Sequence, residues 1–302
     1  MIKIFKRMGK LTMILSFVLM GTVLFVSNCT SFDFEMNQEK VDAHFASRGI
    51  TARSETYHHE GREMHYVSTG DQSKPMVLFV HGSPGSWDAF INFMSNGRLL
   101  EYAHVVSVDR PGFGKSGRDI AERSIKRQAA DIKPILDANT SSQGAILVGH
   151  SLGGPVIAQM AMDYPDQVAG LILVAPSIDP ELEKTKWYQI PADWMLFSWM
   201  VPKVLVTTNR EILPLKAELE RMMPQWKDIR VPVTVIQGEK DKLVPAANAD
   251  FARKALVNAP LTMVRIENMN HFVPWTHPAL IEKAILDHLN AEKEAPLGKE
   301  QP

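Results

Sequence analysis

A chain of 302 residues with 45% apolar and 22% charged side chains can supply the core of a large globular body. Its formal net charge of −1 argues against a nucleic-acid partner held by bulk charge. The one cysteine, Cys29, excludes an intrachain disulfide and any cysteine-based zinc site.

The chain opens with Lys3, Lys6, Arg7 and Lys10, followed by an apolar run from Leu11 to Val26. A basic start before an apolar stretch predicts a bacterial-type export signal or membrane anchor over residues 1–30. Leu11 to Asn28 would make roughly 27 Å of helix, against a hydrocarbon core of about 30 Å. The basic end belongs in the cytoplasm, which puts the body outside it, in the cell envelope. Val26-Ser27-Asn28-Cys29 is similar to a lipoprotein processing box, although Asn28 replaces the small residue that normally precedes the cysteine. Acylation of Cys29 would give the two-chain anchoring that a single acyl group cannot. An uncleaved transmembrane helix is the alternative.

Residues 31–55 read as a polar tether. Thr56 to His59 and Arg62 to Ser68, turning at Glu60-Gly61, predict a hairpin whose His58, His59 and His65 lie on the surface. Strand and helix patterns then alternate. Met76–Val80 is a strand, Trp87–Met94 a helix, Val105–Val108 a strand and Ile125–Leu136 a helix. Ala145–Val148 is a strand that runs into Gly149-His150-Ser151-Leu152-Gly153 and a following helix. Gly170–Val174, Val233–Ile236 and Thr262–Ile266 complete the strands, with helices at Ala246–Val257 and Pro278–Leu289. Short apolar strands alternating with helices predict a mostly parallel sheet covered on both faces. The stretch 179–230 breaks the rhythm and holds Trp187, Tyr188, Trp194, Phe197, Trp199 and Trp226 with Met195, Met200, Met222 and Met223. It reads as a helical cap over the strand ends, part pocket wall and part its own core. Residues 293–302 read as a loose, charged tail.

Strand, Gly-x-Ser-x-Gly, helix is a nucleophile elbow, a strained turn that lifts a serine hydroxyl above a sheet. A serine hydroxyl is inert at neutral pH without a base, and the base needs a third group to hold it. The chain order for this elbow is serine, acid, histidine. Asp241 follows the strand Val233–Ile236, and His271 follows the strand that ends at Ile266, so both fall on the same sheet edge as Ser151. Asp179 and Glu267 are rival acids, and the Gly-x-x-Asp turn Gly238–Asp241 favours Asp241. His277 is a weaker base because His277-Pro278 starts a helix.

Four motifs together make the resemblance: His81-Gly82-Ser83-Pro84-Gly85, Asp109 to Ser116 (DRPGFGKS), the elbow, and the pair Asp241 and His271. From Tyr57 to Leu289 the chain resembles a capped serine hydrolase of the α/β-hydrolase superfamily. The resemblance implies that fold, with core segments 56–178 and 231–292 and the cap at 179–230. It implies Ser151 as nucleophile, His271 as base and then acid, and Asp241 as its orienter. It also implies an oxyanion hole from the N–H groups of Ser83 and Leu152, while Pro84 has no N–H to give. His81 is expected to brace the turn. No cofactor and no metal are expected.

Two patterns compete and fail. Gly112-x-Gly114-x-x-Gly117 satisfies a dinucleotide fingerprint, but its strand is not the first of the fold and no apolar helix follows directly. Gly114-Lys115-Ser116 imitates a phosphate loop, yet Asp109 occupies the upstream glycine position. The expected reaction is hydrolysis of an ester-like bond in an apolar small molecule. Proline iminopeptidases, carbon–carbon bond hydrolases and acyltransferases share the same triad and stay open. So does a ligand-binding member of the fold without catalysis. Epoxide hydrolases and dehalogenases of the superfamily use an aspartate where this chain has Ser151.

Overall fold

The computed structural model describes residues 35–184 and 201–294. The expected anchor with Cys29 falls outside them, as do Trp187, Tyr188, Trp194, Met195, Phe197, Trp199 and Met200. Among the described residues no helix is long and apolar enough to cross a membrane.

Part of the expected tether is a docked helix, α1 (Gln38–Ala46). The Asn37 side chain caps it by accepting from the Lys40 N–H. Only Val41 and Phe45, one turn apart, are buried, and Phe45 stacks on Trp87 at 6.4 Å. Two apolar positions in a polar stretch give little periodicity to read, hence the expectation of a tether.

The hairpin is β1 (Ala52–His59) and β2 (Arg62–Thr69), joined by Glu60 and Gly61, both at positive φ as a tight two-residue hairpin turn requires. Then come β3 (Met76–Val80), two short helices α2 (Ile91–Met94) and α3 (Gly97–Leu100), β4 (His104–Val108) and α4 (Ile125–Asp137). Next are β5 (Ala145–His150), α5 (Gly153–Asp163) and β6 (Val168–Val174). After the undescribed stretch follow α6 (Lys203–Ile212), α7 (Leu215–Met222), β7 (Val233–Gly238), α8 (Ala247–Ala255) and β8 (Leu261–Ile266). The chain closes on α9 (Val273–Thr276) and α10 (Pro278–Glu294).

The eight strands form one sheet in the order β1-β2-β4-β3-β5-β6-β7-β8. β1 and β2 are antiparallel to their neighbours, and β4 through β8 run parallel. β3 is buried along its whole length, and its alternate side chains feed two separate cores. Met76, Leu78 and Val80 join α4, α5, α7 and α8 on one face. Val77 and Phe79 join α1, α2 and α10 on the other. This is the mostly parallel sheet, covered on both faces, that the alternating pattern predicts, and it matches the arrangement that the resemblance implies.

The stretch 201–230 divides in two. α6 reaches the sheet edge that carries the elbow, where Thr208 Oγ1 accepts from Ser83 Oγ at 3.3 Å. α7 does not sit over the strand ends: Leu215, Leu219 and Met222 enter the same core as Leu147 and Leu173. Trp226 packs there too, edge-on to Phe251 at 5.5 Å. An aromatic side chain buried in a main core and one lining a pocket look the same in a linear sequence.

His65 corrects another expectation. It is buried, its imidazole held between Ser54 of β1 and Asp109 at the end of β4. His65 Nδ1–H donates to Asp109 Oδ2 at 2.7 Å and Ser54 Oγ lies 2.8 Å from His65 Nε2. His59 Nδ1 is paired with Asp131 Oδ1 at 2.9 Å, while His58 stays exposed as expected.

Candidate active site

Every candidate side chain sits at the C-terminal end of a parallel strand, where an open α/β sheet forms its ligand crevice. His81 follows β3, Asp109 follows β4, Ser151 follows β5, Asp241 follows β7 and His271 follows β8.

Ser151 has φ +54°, the left-handed backbone that a side-chain-bearing residue avoids unless its surroundings enforce it. The surroundings here are three hydrogen bonds. Its N–H donates to Val174 O at 2.9 Å, and its carbonyl accepts from the N–H groups of Gly154 and Ser177. The flanking glycines have a steric reason: a Cβ on Gly153 would lie 2.2 Å from Val80 O, and one on Gly149 would lie 2.5 Å from Gly153 O. Helix α5 can therefore press against the sheet and hold the serine up.

His271 Nδ1–H donates to Asp241 Oδ2 at 2.7 Å. The other carboxylate oxygen, Oδ1, accepts from the N–H groups of Leu243 and Val244 at 2.9 and 2.8 Å. Asp241 is thus fixed in rotation, one oxygen on its own turn and one on the imidazole. Burial pushes its carboxyl up, but these hydrogen bonds outweigh burial and hold it below its ordinary value. With Nδ1 committed as donor, His271 Nε2 carries the lone pair that a base needs. The rival acids are elsewhere: Asp179 Oδ1 accepts from the Glu181 N–H, and Glu267 is exposed. His277 Nδ1 is spent on Thr276 Oγ1.

Ser151 and His271 line one cavity of about 680 Å³, together with Gly82, Ser83, Leu205 and Trp275. Among the described residues no hydrogen bond joins Ser151 Oγ to His271. Such a contact is often long until substrate tightens it. The loop Gly82-Ser83 crosses close over the elbow: a Cβ on Gly82 would lie 2.9 Å from Ser151 Cβ. Leu152 is the N-cap of α5 and Ser83 borders the same cavity. Among the described residues no acceptor is bonded to the N–H of either. A helix N-terminus there adds its dipole to whatever those N–H groups do.

Three residues at the site were invisible as participants in the sequence. His150, the variable position of the elbow motif, donates Nε2–H to the His271 carbonyl at 3.0 Å and so pins the loop that carries the imidazole. Burial, then the neighbouring His271, push its pKa down to about 3, so it stays neutral. Arg110 is fully buried. Its Nε donates to His81 O at 2.8 Å and its NH2 to Gly82 O at 2.9 Å, while Glu211 of α6 takes a forked pair at 2.8 and 3.1 Å. The Gly82 loop and helix α6 are therefore tied to one guanidinium. Glu211 carried no sequence signal; Arg110 stood inside a quoted motif without a role. His81 braces the turn as expected. Its Nδ1–H donates to Gly82 O and its Nε2 accepts from the Arg110 N–H. Burial, then Arg110, hold its pKa well below the ordinary value.

A serine at a left-handed turn, a carboxylate-held imidazole and a mostly apolar cavity thus meet at the C-terminal edge of one parallel sheet. A family model described as alpha/beta hydrolase fold matches residues 75–203. Over 116 residues the chain is 34% identical to epoxide hydrolase 4 of Mus musculus, covering 38% of this chain and 32% of that protein. It is 26% identical over 254 residues to 2-(acetamidomethylene)succinate hydrolase of Mesorhizobium japonicum, covering 72% of this chain and 89% of that protein. The solved structure of a membrane phospholipase A, described as a bacterial virulence factor, matches with a TM-score of 0.63 at 18% identity. That match covers 94% of this chain and 98% of the other. The chain therefore has the α/β-hydrolase fold. The matches span about a third of the length of the first curated relatives.

Proposed function

We propose that this protein is a serine hydrolase that cleaves an ester-like bond of an apolar small molecule, held to the cell-envelope membrane by its N-terminus. Ser151 Oγ attacks the carbonyl carbon while His271 Nε2 takes its proton. Asp241 keeps the imidazole in the right tautomer and stabilises the imidazolium as it forms. The oxyanion accepts from the N–H groups of Ser83 and Leu152, donors worth about 3 kcal/mol each in comparable sites. His271 then gives its proton to the leaving alcohol. A water molecule activated by the same nitrogen hydrolyses the acyl-serine.

The observation that carries this reading is the coincidence at one cavity of a serine at φ +54° and a histidine bonded to a buried carboxylate. The apolar side chains Ala89, Ile91, Leu205, Leu243, Phe272 and Trp275 around it favour an apolar acyl or alcohol group. Where the epoxide hydrolases of the superfamily carry aspartate, position 151 is serine, which favours an ester over an epoxide. The test is pre-steady-state release of p-nitrophenol from p-nitrophenyl esters of graded chain length. The expected result is a burst stoichiometric with enzyme that vanishes in Ser151→Ala. Folded protein that turns over no ester of the series contradicts the reading.

A further inference from the structure

The cavity opens through a rim that is unusually apolar for a water-facing surface. Eight large apolar side chains are exposed among the described residues, and four of them, Leu205, Leu243, Phe272 and Trp275, line this one cavity. Leu243 is 64% exposed, Phe272 50% and Trp275 49%. Scattered single apolar residues on a surface need no explanation, but half of them gathered at one mouth do. Phe272 and Trp275 hold each other at 6.0 Å between ring centroids, and Trp275 rests edge-on against His150 at 5.5 Å. The patch is thus braced from behind. Lys242, exposed beside Leu243, places an ammonium next to the apolar surface.

The N-terminal end of the described chain comes back to the same mouth. Met36 lines the cavity, and its N–H donates to Asp88, another lining residue. Met36 stands eight residues after Asn28, where the apolar run of the sequence ends. Eight residues reach about 29 Å when fully extended. A body of this length has a radius of gyration of about 18 Å, which makes it roughly 46 Å across. A tether shorter than the body is wide, attached at the cavity, cannot present the opposite side to the membrane.

We propose that the rim Leu205, Leu243, Phe272 and Trp275 seats the mouth of the cavity on a lipid bilayer, so that the substrate passes from lipid to Ser151 without crossing water. Leucine and phenylalanine enter the acyl boundary, tryptophan takes the interfacial position, and Lys242 lies at the level of anionic headgroups. This rests on the reading of the cavity as the substrate site and of residues 1–30 as an anchor. It narrows the substrate to an acyl ester resident in the membrane.

The test uses the full chain with Cys29→Ser, reconstituted in vesicles of phosphatidylethanolamine and phosphatidylglycerol. An environment-sensitive thiol probe is placed at Leu243→Cys or, as the distant control, at Val257→Cys. Val257 is equally exposed but precedes β8, at the opposite edge of the sheet. Brominated lipids are expected to quench the probe at 243 by roughly twofold or more and leave the probe at 257 unaffected. Equal quenching at the two positions overturns the proposal. So does a probe at 243 that is shielded without vesicles, because the chain then covers its own rim. Flotation of the unlabelled wild-type protein, with Cys29 intact, reads the anchor separately, and loss from the vesicle fraction refutes anchor and proposal together. Turnover of water-soluble p-nitrophenyl acetate by unlabelled protein tests the chemical reading alone, since that substrate needs no lipid surface.

Discussion

Among the described residues, two clusters bring a serine, a histidine and an aspartate together, and by hydrogen bonds alone the one away from the cavity looks better. Ser54, His65 and Asp109 form an unbroken line, with Ser54 Oγ 2.8 Å from His65 Nε2 and His65 Nδ1 2.7 Å from Asp109 Oδ2. Ser151, His271 and Asp241 share the same 2.7 Å histidine–aspartate bond but have no serine–histidine contact among the described residues. What differs is the backbone. Ser54 lies mid-strand in β1, whereas Ser151 is thrust up by a left-handed turn beside two N–H groups and a cavity. Asp109 is also spent on structure: its Oδ1 accepts from the Trp87 N–H and its Oδ2 from the Lys115 N–H. Connectivity orients a base, but strain, donors and space make a nucleophile.

The largest expected effect separates the two serines. Ser151→Ala should lower kcat on a p-nitrophenyl ester by roughly 10⁴ to 10⁶, and Ser54→Ala by less than about twofold. Comparable losses at both positions would break the distinction.

The two aspartates sharpen it. Asp241→Asn is expected to cost roughly 10³ to 10⁴ in kcat with little change in Tm, because it leaves the wrong imidazole tautomer. Asp109→Asn should act chiefly on Tm, since its oxygens hold the Trp87 and Lys115 turns. If Asp179→Asn proves worse than Asp241→Asn, the acid has been misassigned.

Glu211→Ala tests how far the site depends on helix α6. It leaves the buried Arg110 unpaired, a change that costs about 3 to 5 kcal/mol in comparable buried pairs. Urea midpoints read the loss. A variant as stable as wild type would show that α6 is not tied to the Gly82 loop through this pair.

The most gradual effect is in pH. Folded His150 takes its proton only near pH 3 and His81 well below its ordinary value, whereas both would protonate near 6.5 when unfolded. Stability should therefore fall as pH drops from about 6.5, by at most about 1.4 kcal/mol per pH unit for each histidine. The depressed Asp241 acts in the same direction at lower pH, its contribution lost as pH falls through its folded value. Urea midpoints that do not change between pH 7.5 and 5 would contradict this.

The same contrast explains what the sequence could and could not disclose. β3 and β5 are apolar at nearly every position because both faces are covered, so their runs name them as interior parallel strands. The elbow was legible because it follows β5 directly, and Asp241 and His271 because they stand three and five residues past the ends of β7 and β8, on the same edge of the sheet. His65 was misjudged because alternation cannot tell an edge hairpin from one whose second strand has a further neighbour. Helix α1 was missed because two buried residues leave no periodic trace. His150 and Glu211 act through contacts with residues 121 and 101 positions away, and no local pattern records these. α7 and Trp226 look like cap residues by composition, and only the packing assigns them to the main core.

The most direct measurement is mass spectrometry of the intact protein and its peptides after reaction with a fluorophosphonate. One adduct per chain, on the peptide holding Ser151 and absent from Ser151→Ala, is the predicted result. An adduct on Ser54, or none on protein that is folded, would contradict the account.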